Sequence, residues 1–185
     1  MIICRPTEQI CEGTVKKQIL QWSQTAGSEH PLRQHAIPVD HSNLDETVQV
    51  ASDLIDTMEA QPLAVGLAAN QIGSPLNVAV IKLVNSESPQ ILVMVNPQVL
   101  SQSGKKDRKR ESCMSVWGLT GDVERRYKVN IAYADLDLMQ HERTFSGFEA
   151  RIAQHEVDHL NGVLYVDHLG SGELRPTDIF ESYEP

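Results

Sequence analysis

The sequence predicts an α+β fold from three features. An amphipathic helical pattern stands early, several β-like segments follow one another, and a second helical pattern comes late. Strands grouped between helices, instead of alternating with them, argue against a doubly wound parallel sheet. The first 25 or so residues show little periodicity and are taken as an N-terminal extension (1–25) of a single domain spanning 1–185. Over 43–59, Leu44, Val48, Ala51, Ile55 and Met58 recur at alternating spacings of four and three, with Asn43 as a candidate cap. The segment AVGLAANQIGSP (64–75) is small and punctuated by glycine, as where backbone must approach a ligand closely. β-like runs follow at 75–83, 90–100 and 129–137. The basic run KKDRKR (105–110) between the last two is expected at a solvated hairpin tip. A second helix fits 147–161, with Phe148, Ile152, His155 and His159 on one stripe and Asn161-Gly162 as its stop.

Composition bounds the function. A chain of 185 residues fits one domain with one sizeable core, and 41% hydrophobic with 22% charged residues is ordinary for a soluble globular protein. A formal net charge of −9 argues against specific nucleic-acid binding. No apolar run is long enough to span a membrane, and MIICRPTEQICEG lacks the apolar core of a secretory signal. Three cysteines do not suggest a disulfide framework, so a cytoplasmic protein with reduced thiols is expected.

The chemistry concentrates in QHEVDHLNG (154–162). On a helix, His155 and His159 share one face and reach one metal ion, with Glu156 beside them to handle a proton on metal-bound water. A catalytic site of this kind takes three protein ligands. The HExxHxxGxxH pattern would place a third histidine where Tyr165 stands, so that protease class fails. Glu173 suits another protease class but lies close to the end of the chain. His168 follows a predicted strand and reads as exposed, as do His30, His35, His41 and His141. Cys113, in ESCMS, offers a thiolate, a stronger ligand than a surface imidazole. Taken alone, Cys113 also fits a buried structural thiol.

Three segments resemble the peptide deformylase family: AVGLAANQ (64–71), ESCMS (111–115) and HEVDH (155–159) follow the order of its GxGLAAxQ, EGCLS and HExDH signatures. The intervals from Gln71 to Cys113 and from Cys113 to His155 are both 42 residues, as in the family's layout. The resemblance implies antiparallel β-sheets packed around a central metal-binding helix. It implies Cys113, His155 and His159 as ligands of one divalent ion, natively iron(II), with zinc, nickel or cobalt as substitutes. The implied substrate is an N-formyl-methionyl peptide of a nascent protein, hydrolysed to formate and a free amino terminus. Glu156 would be the general base, and the Gln71 amide with the Met114 backbone N–H would stabilise the oxyanion. Gly66 would permit close approach, and Val65, Phe148 and Ile152 would line the methionine pocket. Arg125 would pair with Glu111. A transient ribosome contact fits nascent-chain substrates.

Four positions depart from the family pattern. Ala64 and Ser112 stand for glycines, and a positive φ at either would cost about 1–2 kcal/mol. Trp117 replaces a usual proline and is expected to overhang the cleft; Thr120 stands where many relatives carry arginine. These departures keep open a deformylase fold with a divergent substrate or a binding-only role. A peptidase built on HExxH is disfavoured, because no third histidine or glutamate fits.

Overall fold

A computed structural model describes residues 16–25, 27–84 and 90–177. Cys4, Cys11 and the acidic tail from 178 onward lie outside these residues. The fold is α+β. Helix α1 (Leu44–Glu59) precedes strands β1 (Gly66–Ala68), β2 (Val78–Leu83), β3 (Gln90–Cys113), β4 (Val116–Ala134) and β5 (Gln140–Ser146). Helix α2 (Gly147–Leu160) and the short β6 (Arg175–Pro176) complete the order. The first five strands pair antiparallel with their sequence neighbours, and β6 pairs with β4.

The strands alternate in ways the sequence only partly displays. β2 and the first half of β3 are buried on both faces and read as continuous apolar runs. Pro97 is tolerated in β3 because it sits at a register shift between Val95 and Gln98. Asn96, with φ 50°, bends the strand there, and its amide exchanges two 2.8 Å hydrogen bonds with the Val39 backbone.

Four expectations need correction. The KKDRKR run is no hairpin tip: Lys106–Arg110 pair with Asp122–Arg126 along the β3–β4 ribbon, and the ribbon turns at Met114–Ser115. The buried face of α1 is rotated from the apolar stripe, comprising Thr47, Val50, Ala51, Leu54, Thr57 and Met58, while Val48 is exposed. Two threonines serve that face because Thr47 Oγ1 donates to the Asn43 carbonyl and Thr57 Oγ1 accepts from Lys17 N–H. Asn43 occupies the N-cap, but its Oδ1 accepts from Asp40 N–H at 2.9 Å and caps no helical donor. The strand predicted over 129–137 ends at Ala134, where Asp135 Oδ1 accepts from Asp137 and Met139 N–H to close a turn.

Helix α2 lies at the centre, with nearly every side buried. Ala150, Ile152, Ala153, Val157 and Leu160 join the sheet's apolar cluster with Ile81, Met94, Ile131 and Phe145. A polar helix can be buried all round only if its charges are paired, and its polar side chains accordingly form the site below.

Candidate metal centre

Two elements bring the site together. Helical periodicity puts His155 and His159 on one face of α2, with ring centroids 5.0 Å apart. The turn closing β3 and β4 brings Cys113 against them, its Sγ 3.2 Å from His159 Nε2. One donor atom from each of Cys113, His155 and His159 lies within 4.8 Å of the other two. Metal–ligand bonds of about 2.0–2.3 Å would set tetrahedral donors about 3.3–3.8 Å apart, so a modest contraction around an ion fits this set. The chemistry fits as well: one soft thiolate and two imidazoles are a transition-metal donor set.

The surroundings orient these donors. Glu111 Oε2 lies 3.1 Å from His155 Nδ1, which leaves Nε2 for the metal side. Glu111 also accepts from Arg125 Nε and Nη2, at 2.6 and 3.0 Å, and from Arg151 Nη1 at 2.6 Å. Burial alone would raise the Glu111 carboxyl, but bonds from His155 and Arg125 outweigh it and hold the pKa well below the carboxylate range. Arg125 reaches on to Asp158 at 2.7 Å, which in turn meets His168 Nε2 at 2.8 Å. The Glu111–Arg125 pair expected from sequence is therefore present and buried, within a larger network.

Glu156 is 4% exposed, and its Oε2 has no hydrogen-bond partner among the described residues. Burial pushes its carboxyl up to about 7 against the opposing pull of His155 and Arg125. A carboxylate poised near neutrality, with a free oxygen at a cleft, suits proton transfer. Gly66 makes room for it. Gln71 is 1% exposed; Ala68 N–H donates to its Oε1 at 2.8 Å, which orients the amide. Its Nε2 then faces Ser115 Oγ at 3.1 Å and Cys113 Sγ at 3.6 Å.

A cleft of about 270 Å³ opens over this group. Val65, Gly66, Gln71, Met114, Phe148, Ile152, His155 and Glu156 all line it, and His159 lies beneath, 1% exposed. Leu63 and Phe148, 42% and 54% exposed, form an apolar rim.

The departures resolve in structural terms. Neither Ala64 nor Ser112 has a positive φ, so the expected strain is absent. Ser112 Oγ donates to Thr120 Oγ1 at 3.0 Å, and Thr120 Oγ1 donates to the Glu111 carbonyl at 2.7 Å. The two polar departures thus satisfy each other and brace Glu111. Trp117 does not line the cleft; its ring packs against the cluster of Leu54, Leu67 and Met114. The predicted YVD strand is a 3-10 turn, Tyr165–His168, and Tyr165 stacks on His155 with centroids 6.2 Å apart. Glu173 pairs with Arg108 away from the site.

Sequence reasoning missed Arg151, Ser115 and Asn70. Arg151 stands four residues before His155, so its place on the same helical face was readable. Asn70, whose Nδ2 donates to the His159 carbonyl at 2.5 Å, left no such signal.

The chain matches the family model for polypeptide deformylase over residues 17–174. It is 38% identical over 139 residues to the peptide deformylase of Brucella suis biovar 1 (strain 1330), covering 75% of this chain and 78% of that protein. It superposes with TM-score 0.74 on a Met-Ala-Ser-bound class I type b peptide deformylase from Acinetobacter baumannii, at 33% identity over 85% of this chain and 100% of that one. A peptide deformylase from Synechococcus elongatus in complex with actinonin also gives 0.74, at 30% identity over 89% of this chain and 86% of that one.

Proposed function

This chain belongs to the polypeptide deformylase family, and from that premise we propose how its own residues remove the formyl group from N-formyl-methionyl peptides of nascent proteins, releasing formate. The observation that carries the residue assignment is the unpartnered, buried oxygen of Glu156 beside the cluster of Cys113, His155 and His159. Cys113, His155 and His159 would hold a divalent ion, which would supply Lewis acidity to lower the pKa of water and polarise a formyl oxygen. Glu156 takes the proton of the attacking water and returns it to the leaving nitrogen. The Gln71 amide and the Met114 backbone N–H donate to the oxyanion of the tetrahedral intermediate. A structural metal site that only bound a ligand would need neither Glu156 nor Gln71.

Val65, Phe148 and Ile152 receive the methionine side chain, and Gly66 lines the same cleft while leaving room for the Glu156 carboxylate. That the Acinetobacter relative is bound to Met-Ala-Ser, a peptide beginning with methionine, supports a methionine-terminal peptide as the ligand of this cleft. We assign iron(II) as the native ion, with zinc, nickel or cobalt as functional or inert substitutes. Among the described residues no helix is long and apolar enough to cross a membrane. A cytoplasmic location fits action on nascent chains and is part of this proposal. A transient ribosome contact would use the exposed run 105–110, although Lys106, Arg108 and Lys109 are paired with acids.

The deciding assay is formate release from a formyl-Met dipeptide by anaerobically iron-loaded protein. Turnover supports the reaction; a fully loaded protein that releases no formate overturns it.

A further inference from the structure

The backbone from Ile19 to Trp22 runs between the two stretches that carry the oxyanion donors. Lys17 fixes its start on α1: its N–H donates to Thr57 Oγ1 at 3.0 Å and its ammonium pairs with Asp53 at 3.3 Å. Leu20 N–H donates to the Gln71 carbonyl at 2.8 Å, and Trp22 N–H donates to the Ser115 carbonyl at 2.7 Å. Between them, Gln21 Nε2 donates to the Met114 carbonyl at 2.9 Å, and Gln21 Oε1 accepts from Trp117 N–H at 3.4 Å. One side chain thus ties the β3–β4 turn, at Met114, to the start of β4, at Trp117.

The Met114 carbonyl and the Ser115 N–H belong to one planar peptide unit, so they move together. That N–H donates to Cys113 Sγ at 3.4 Å. Gln21 therefore holds the outer side of the peptide whose inner side meets the Cys113 sulfur. A hydrogen bond to the carbonyl also polarises the N–H opposite it, strengthening its bond to sulfur. Gln21 is itself exposed, so apolar packing gives it little reason to be there.

We propose that Gln21 is a positioning residue, setting the Met114–Ser115 peptide against Cys113 and thereby the metal-binding turn against Gln71. The proposal rests on the deformylase reading of the site.

Gln21→Met keeps the side chain's volume and removes its bonds to Met114 and Trp117, together with a longer local one from Nε2 to the Ile19 carbonyl at 3.3 Å. Gln21→Glu keeps the acceptor for Trp117 and sets a carboxylate oxygen against the Met114 carbonyl. Each should lower kcat about tenfold, the effect of losing roughly one net hydrogen bond at the transition state, with KM within twofold. Metal content and Tm should stay at wild-type values. In parallel, the Ser115 amide signal in a 15N-labelled spectrum of the zinc-loaded protein should move in both variants, an observation that needs no turnover. An unmoved Ser115 signal, a kcat within twofold of wild type, or a loss of activity accompanied by loss of metal or fold would each overturn the proposal. Wild-type protein that releases no formate would instead overturn the reaction, while the Ser115 signal still decides the peptide's positioning.

Discussion

A Cβ added at Gly66 would stand 2.9 Å from both Cγ and Cδ of Glu156. Backbone of β1 and the proposed general base therefore touch across a space that only glycine leaves open. The same contact explains why glycine stands at the first position of the strand that leads to Gln71.

Gly66→Ala should push the Glu156 carboxylate aside. A displacement of about 1 Å at a reacting group costs on the order of 100-fold in rate. Steady-state kinetics on a formyl-Met peptide, with metal content measured alongside, should show kcat down by that factor and the ion retained. Wild-type turnover in this variant would mean that Glu156 tolerates a shift and is not the positioned base.

Glu156→Gln should keep the metal and lose turnover by roughly 10²–10⁴-fold, because an amide cannot accept the water proton. Unchanged activity would point to another base.

Cys113→Ser replaces a thiolate by a neutral hydroxyl, a far poorer ligand for a transition-metal ion. Elemental analysis of purified protein should find most of the metal gone. Full occupancy would remove Cys113 from the ligand set.

Arg125 is buried between Glu111 and Asp158, with contacts of 2.6 and 2.7 Å. Arg125→Met removes the cation that Glu111 and Asp158 share, and breaking such a buried pair costs about 3–5 kcal/mol. Arg151 still holds Glu111 in the variant, which favours the low end, about 3 kcal/mol. Urea unfolding of the metal-loaded protein measures this directly; a change under about 0.5 kcal/mol would show the network to be energetically idle.

Formyl-Met peptides should be preferred over formyl-Ala peptides. Loss of the thioether's burial against Val65, Phe148 and Ile152 corresponds to roughly 1–3 kcal/mol, or about 10- to 200-fold in kcat/KM. Equal processing of the two would leave the metal chemistry standing and make the natural substrate some other formyl amide.

The sequence by itself determined the elements whose signal is local. The spacing of His155 and His159 is one turn of helix, so the covalent chain and helical geometry alone put both rings on one face. The Asn161-Gly162 stop is equally local, and Gly162 has φ 72°. The buried runs of β2 and early β3 were legible because burial on both faces makes a strand continuously apolar. Their continuation through 101–110 is solvated on almost every residue, so no alternation marks it as strand and the turn was misplaced. Tertiary structure decided what local pattern cannot encode. Cys113 meets His159 across 46 residues, Arg151 meets Glu111 across 40, and Gln21 meets Met114 across 93. Each is a contact between partners that sequence spacing leaves independent. Only the packing of α2 under the sheet, and the closing of the β3–β4 turn over it, bring those donors and charges within bonding distance.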